Sequence, residues 1–547
     1  MNTRHLLADI VAVWLLLCSL SGTSRAQVTG EQIVHAEQEP QNWLTYSGDY
    51  AGKRFSELKQ INAANVSRLA PAWLYQTSVA GKIESTPLVI GGILYFTGPD
   101  DHGYAVDART GRTIWHYTRP LPARLPVCCG RVNRGFAAFG DKLFMATLDA
   151  HVVALDIKTG NVIWDVEAVD SKLGYSFTVA PIVVKGKVIV GVAGGEYGIR
   201  GFIDAYDEGT GKRAWRFYTI PGANEPGNDT WAGDSWTRGG APAWVTGSYD
   251  PELNLIYWGT GNPAPSDDTS ERKGDNLYSN CVVALNADTG KLAWHFQFTP
   301  ADAHDWDATE VPVLLDLKWD GKPRKVLAHA NRNGFFYLLD RTDGKFLFAK
   351  PFAHVTWAKE VGADGRPQLQ PVAATSTEGT VVCPGAAGAT NWMSPSFSSQ
   401  TGLLYVAARE QCDVFTGIKQ PFHPGHPYIG SVYYKPADEK AWGALRAIDP
   451  ATGEIKWEFK YLTPPWGGAL STAGGLVFAG DMEGNLIAFD ARTGRDLWHF
   501  GTGAPITASP ITYSINEKQY VTVASGGVLV SFALSELTPA MGETQAK

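Results

Sequence analysis

Two adjacent cysteines, Cys128 and Cys129, are the most unusual chemical feature of this sequence. Neighbouring thiols in an oxidising compartment can close an eight-membered disulfide ring. The plain alternative is separate partners or two free thiols. Cys383 and Cys412 bracket the stretch 384–411 and can staple it, and Cys281 heads the apolar run Cys-Val-Val-Ala-Leu, where a buried thiol is the simplest reading. A second grouping is acidic: Asp305-Trp306-Asp307 sets two carboxylates at i and i+2. In extended backbone such residues point the same way, so both can face one cation. Hard cations take oxygen ligands.

Groups so far apart in the chain need a frame that gathers them, and a repeat supplies one. Two apolar residues, an Asp or Asn, a Thr-Gly and then Trp recur as AVDARTGRTIW ending at Trp115, ALDIKTGNVIW at Trp164, AYDEGTGKRAW at Trp215 and ALNADTGKLAW at Trp294. AIDPATGEIKW ends at Trp457, AFDARTGRDLW at Trp498, and LLDRTDGKFLF is a degenerate copy ending at Phe348. In each, the Asp caps a tight turn, the Gly supplies the positive φ, and a new strand starts. The Trp is a large flat residue suited to packing between sheets. Most intervals are 41 to 54 residues, the length of one propeller blade. An eighth corner is implied by Leu69-Ala70-Pro71-Ala72-Trp73. The longer intervals from Trp215 to Trp294 and from Phe348 to Trp457 imply insertions. The alternating stretch Tyr520–Leu534 has no corner after it, so it is expected to pair with the N-terminal segment and close the ring. The fold predicted is all-β: an eight-bladed β-propeller with tryptophan-docking repeats, spanning 27–547 as one domain.

Bulk composition agrees. Charged residues are 19% and aromatics 12% of the chain, with 59 Gly, which suits tight turns and large sheets rather than a disordered or coiled-coil chain. The net charge of −8 and the absence of any Lys/Arg run argue against a nucleic-acid partner. The apolar run Ile10–Leu20 is too short to span a membrane comfortably, and Ser24-Arg25-Ala26 has small residues where a signal peptidase needs them. Residues 1–26 are therefore expected to be a cleaved signal peptide and the protein periplasmic. Cys18 leaves with that segment.

A propeller is not a function, and here the motifs speak. CCGRVNRG (128–135), GGEYGIRG (194–201), YWGTGNPAP (257–265), HDWDATEVPVL (304–314), NRNGFFYLLDRTDG (331–344) and TNW (390–392) resemble those of pyrroloquinoline-quinone (PQQ)-dependent alcohol dehydrogenases, across essentially the whole mature chain. The adjacent cysteines are similar to those of the methanol and ethanol dehydrogenase group. The resemblance implies Cys128–Cys129 and Cys383–Cys412 disulfides, PQQ and one metal ion. Glu196 and Asn262 would hold the metal. Asp305 would be both ligand and catalytic base, taking the alcohol's hydroxyl proton. The resemblance further implies that Trp244 stacks on the cofactor, with the cysteine ring on its other face. Arg134 and Arg332 would donate to its oxygens, Glu84, Thr178, Gly194, Gly195 and Asn391 would make its other polar contacts, and Trp466 would wall the pocket. Gly194 and Gly195 would let backbone N–H groups come close to it.

Asp307 is a departure. Many calcium-dependent relatives carry a small or neutral residue there, and relatives with Asp-X-Asp use lanthanides, so Asp307 is expected to be a fourth ligand that favours a light lanthanide over Ca²⁺. Other departures are Ala193 in place of a hydroxyl residue, Ala241-Pro242-Ala243 ahead of Trp244 where Thr is common, and Ser266 in place of a Trp. The first two could cost cofactor hydrogen bonds, and the third leaves substrate size open. There is no Cys-X-X-Cys-His for covalent haem, so the family implies electron transfer to a separate periplasmic cytochrome c. A homodimer is left open. Two other readings stand beside this one: a non-catalytic envelope propeller that binds partners, and a PQQ-dependent sugar dehydrogenase. A scaffold has no use for Asp305, Glu196, Asn262 and the cysteine pair together.

Overall fold

The computed structural model describes residues 28–535. The proposed signal segment therefore lies outside the described residues. Among them are eight sheets of four or five strands and only one short α-helix, Gly30–Val34. Seven sheets are antiparallel meanders of consecutive strands, apart from inserted hairpins. The eighth pairs Leu69–Gln76 antiparallel with Val528–Leu534, which continues through Lys518–Ser525 to Ile511–Ile515. Closure by the two ends of the chain is thus as expected.

The corners behave as their residue types dictate. Asp107 Oδ1 accepts from the N–H groups of Arg109 and Thr110 at 3.0 and 2.9 Å, and Asp156 repeats the arrangement. The corner glycine has positive φ, and each Trp lies flat on the glycine of the next sheet's corner. A Cβ on Gly160 (φ +72°) would stand 2.7 Å from the Trp115 ring. The Trp115 indole N–H then donates to the carbonyl of Ile157 at 3.1 Å. Trp73, Trp164, Trp215 and Trp457 make the same bond to Ala108, Glu208, Ala287 and Ala491. At the degenerate corner Trp294 still covers Gly344, but it is the Tyr257 hydroxyl that donates to Arg341. Trp498 has no corner ahead of it and packs edge-on to Phe532 of the closing sheet, at 5.5 Å. The docking contacts therefore run unbroken around the ring, and the apolar core lies between successive sheets. Trp115 is 8% exposed. Trp115→Ala is expected to cost about 3–5 kcal/mol, read as a fall in the denaturant midpoint.

Two features were not visible in the repeat. Phe55–Ser56 adds a parallel strand to the sheet of 469–501. The long interval after Phe348 holds a two-stranded hairpin, Ala358–Val361 with Pro367–Leu369, and a three-stranded sheet of Thr380–Val382, Asp413–Gly417 and Ser431–Tyr434.

The strand order also decides where chemistry can gather. In a four-stranded antiparallel meander, the connection from the second to the third strand and the one leaving the fourth strand for the next sheet lie at the same end. The Asp…Gly corners lie at the other. Glu196, Asn262 and Arg332 are on second-to-third connections; Glu84, Arg134, Thr178, Trp244, Asp305, Asp307, Asn391 and Trp466 precede first strands. Alternation alone brings all of them to one end of the ring.

Candidate functional site

At that end is a cavity of about 530 Å³. Of the residues singled out in the sequence, Cys128, Cys129, Arg134, Thr178, Gly194, Glu196, Trp244, Asp305, Asp307, Arg332, Asn391 and Trp466 line it. Cys128 and Cys129 are joined to each other and Cys383 is joined to Cys412, while Cys281 is free and buried. The two ring sulfurs and a carboxylate oxygen of Glu196 lie within 4.8 Å of one another.

The acidic end is built around Arg332. Its Nη1 donates to Asp307 Oδ2 at 2.8 Å, and its Nη2 reaches Asp305 Oδ2 at 3.4 Å and the carbonyl of Ala386 at 2.5 Å. Asp307 Oδ2 also accepts from the Trp244 indole at 2.8 Å, and Oδ1 accepts from the backbone N–H of Asn262 at 2.7 Å. The two aspartates converge, but not by the extended alternation expected of i and i+2. Asp305 has φ +61°, and the Asp302 carboxylate, accepting from the N–H groups of His304 and Trp306, folds the loop that aims it.

Burial is the dominant electrostatic fact. It holds the Asp305 carboxyl well above the ordinary carboxylate range, with the Asp307 and Glu196 charges adding to it and Arg332 opposing. Burial raises Asp307 as well, against the pull of Arg332. Burial, then Asp307, pushes Glu196 up to about 7. Burial lowers the Arg332 guanidinium, but Asp305 and Asp307 more than offset it and leave it raised. The expectation that Asp305 is ionised beside a cation therefore needs more positive charge than Arg332 alone provides. Three carboxyls lining one cavity, Asp307 buried and Asp305 and Glu196 partly so, with one guanidinium among them, have the chemistry of a hard-cation site.

The other end offers donors. Arg134 Nη2 donates to Glu84 Oε2 at 2.7 Å and Nη1 to Thr178 Oγ1 at 2.9 Å, with its guanidinium 4.7 Å from the Trp244 ring centre. Lys82 closes on Glu84 Oε1 at 2.6 Å. The Nε atoms of Arg134 and Arg332 and the Trp392 indole N–H are buried without a hydrogen-bond partner. Buried orphan donors are expensive, and here they surround a cavity walled by an indole face and a disulfide. A flat polyanionic ring system fits that set, as a hard cation fits the acidic end.

Three expected contact residues stand behind the surface rather than on it. Glu84 is the buried counter-ion of Arg134 and Lys82. Asn262 presents its backbone N–H to Asp307, and its side-chain amide donates to the carbonyl of Pro263. Gly195 packs on Pro242, where a Cβ would stand 2.9 Å away, and a Cβ on Gly194 (φ +117°) would run into the carbonyl of Gly174. Close packing of protein on protein by itself requires glycine at both positions. Asn391 donates to the carbonyl of Ala387 and accepts from Trp392 N–H. Sequence reasoning missed Lys82, Trp392, Arg409, Tyr433 and Tyr434. Trp392 stacks on Trp466 at 4.4 Å, and the Arg409 guanidinium lies 3.9 Å from the Trp466 ring centre. The triplet TNW was the one signal for Trp392.

The family model for the PQQ glucose/ethanol/alcohol dehydrogenase β-propeller domain matches residues 43–362 and 425–521. The quinoprotein alcohol dehydrogenase PedH of Pseudomonas putida is 41% identical, over 96% of this chain and 93% of its own. A lanthanide-dependent methanol dehydrogenase of Methylacidiphilum fumariolicum is 37% identical, over 95% and 89%. Among solved structures, the quinohemoprotein alcohol dehydrogenase of Comamonas testosteroni superposes with a TM-score of 0.89 at 36% identity, covering 97% of this chain and 86% of that one.

Proposed function

The chain belongs to the PQQ-dependent glucose/ethanol/alcohol dehydrogenase β-propeller family, and from that premise we propose that it oxidises a primary alcohol to the aldehyde with Asp305 as the base. It is a quinoprotein alcohol dehydrogenase, an oxidoreductase acting on alcohols, with PQQ and one metal ion as cofactors. Bound in the cavity, PQQ supplies the two-electron acceptor and the metal ion beside it the polarising charge.

The chain's own residues do the rest. Asp305, once ionised by a neighbouring cation, accepts the proton of the alcohol hydroxyl. Glu196, Asp305 and Asp307 would hold the cation, and Asn262 would join them through its side-chain oxygen, its amide N–H being bonded to Pro263. Arg332, bonded to Asp307 and within reach of Asp305, keeps both carboxylates aimed inward. Trp244 and the Cys128–Cys129 ring confine the flat cofactor and exclude water. Arg134, Lys82 and Thr178 bind its carboxylates, with Glu84 anchoring the two cations, Asn391 completing the polar contacts and Trp466 backing Trp392. The domain spans 27–547, the protein is exported to the periplasm after loss of 1–26, and electrons leave to a separate c-type cytochrome, from a monomer or a homodimer.

The observation that carries this reading is the pairing, in one cavity, of three crowded carboxyls around Arg332 at one end with the Arg134 guanidinium and the Trp392 indole at the other. Apo-protein given PQQ with La³⁺ or Ca²⁺ is expected to acquire a quinone absorbance band and to reduce an artificial dye when an alcohol is added. No band and no alcohol-dependent reduction with either metal would sink it.

A further inference from the structure

Neither the ring nor the carboxylate cluster requires the inserted sheet of Thr380–Val382, Asp413–Gly417 and Ser431–Tyr434. It is tied at its root by Cys383–Cys412 and lies across the loops that carry the site. Tyr428 N–H donates to the carbonyl of Glu196 at 2.6 Å, and the Ser266 hydroxyl donates to the carbonyl of Ile429 at 3.1 Å. A Cβ on Gly198 would meet the rings of Phe422 and Tyr428.

Register fixes which face looks inward. Thr380 is opposite Phe415 and Phe415 is opposite Tyr433, so the three share one face of the insert. Phe415 is fully buried, edge-on to His304 at 4.9 Å, and His304 directly precedes Asp305. That face is therefore turned to the Asp305 loop, and Tyr433, next in the row, lines the cavity; Tyr434, opposite Val414 on the other face of the insert, stands at its rim. Burial raises the Tyr433 hydroxyl and the Asp305 charge raises it further. Yet Tyr433 and Tyr434 are 47% and 53% exposed. Two large aromatic surfaces stand half open at the cavity, on the side of the base.

We propose that Tyr433 and Tyr434 determine substrate specificity: the Tyr433 ring forms the apolar wall along which the alcohol's tail lies when its hydroxyl meets Asp305, with Tyr434 at the rim, and the pair favours primary alcohols with a long apolar chain over methanol and ethanol. The inference rests on the alcohol dehydrogenase reading above.

The test is the dependence of kcat/KM on chain length, from ethanol to 1-hexanol, in the reconstituted holoenzyme with a dye acceptor. A methylene laid against one apolar wall gains about two- to fourfold, so the hexanol-to-ethanol ratio is expected to exceed about tenfold. It should fall by about tenfold in the Y433A/Y434A double variant, through KM rather than kcat. Y433F should retain most of the preference, because the ring face and not the hydroxyl does the sorting. Both positions are half exposed, so truncation opens no core cavity. A ratio unchanged in the double variant, or a wild-type preference for ethanol over hexanol, overturns the inference while leaving the dehydrogenase reading intact. Failure to oxidise any alcohol of the series overturns both.

Discussion

Asp305→Asn is expected to fold normally and to lose alcohol turnover by about 10²- to 10⁴-fold, the usual contribution of a positioned general base. The substitution keeps the size and shape of the side chain, so the loop held by Asp302 has no steric reason to move. What it removes is the capacity to take up a proton. It also removes one of the three carboxyls that crowd Arg332, so a neutral amide in this buried position relieves like-charge crowding rather than creating it. Stability should therefore stay level or rise while activity collapses. That opposition separates a catalytic loss from a folding loss. It is read by comparing kcat with the thermal midpoint of the same preparation, and by the quinone absorbance band, which reports cofactor retention. A variant that keeps both the band and more than about a tenth of wild-type kcat would remove Asp305 from the role of base.

The fold could be read from local chemistry because each corner is self-sufficient. Asp107 and Gly111 make their turn whatever surrounds them, and Trp115 needs only the next corner to lie on. Repetition then sets the ring, and strand alternation sends the chain's polar connections to one end. What stayed hidden depends on segments outside the repeat. The inserted sheet has no period, so nothing in the sequence announced that Tyr433 and Tyr434 would overhang Asp305. Lys82 and Arg409 are ordinary cations until tertiary packing sets one against Glu84 and the other against Trp466. Two local arguments rest on backbone conformations for which the structure shows other causes. Asp305 and Asp307 converge through a left-handed residue and a capping carboxylate, not through extended alternation. Gly194 and Gly195 are small because Gly174 and Pro242 fill the space beside them. In both cases residue type was informative, and the backbone conformation that gave it meaning came from contacts remote in sequence.

Asp307 carries the other large prediction: wild-type apo-protein with PQQ is expected to turn over with La³⁺ and only weakly with Ca²⁺, and Asp307→Ala to reverse that order. Beside Arg332 this group brings a third carboxyl to a pocket that holds Glu196 and Asp305. Crowding of that kind is unfavourable without a cation and is relieved more by a trivalent than by a divalent one. One additional unit of positive charge near one carboxylate is worth about 4 kcal/mol at 4 Å in an effective dielectric of about 20. The greater hydration of the trivalent ion takes back part of it, so a shift of at least about tenfold in relative affinity is a cautious expectation. Removing the carboxylate removes that differential while leaving Glu196, Asn262 and Asp305, enough oxygen for the softer demands of Ca²⁺. Ala also deletes the acceptor for Trp244 Nε1 and Asn262 N–H, so Asp307→Asn, which keeps an acceptor oxygen, separates loss of charge from loss of those bonds. If charge decides, the Asn and Ala variants shift metal preference alike; if the hydrogen bonds decide, Asn, whose single acceptor oxygen keeps only one of the two, falls between wild type and Ala. Metal titrations followed through the quinone band, with kcat measured beside them, distinguish these outcomes. Full activity of the wild type with Ca²⁺ alone would reject the lanthanide preference while leaving Asp305 and the alcohol chemistry untouched.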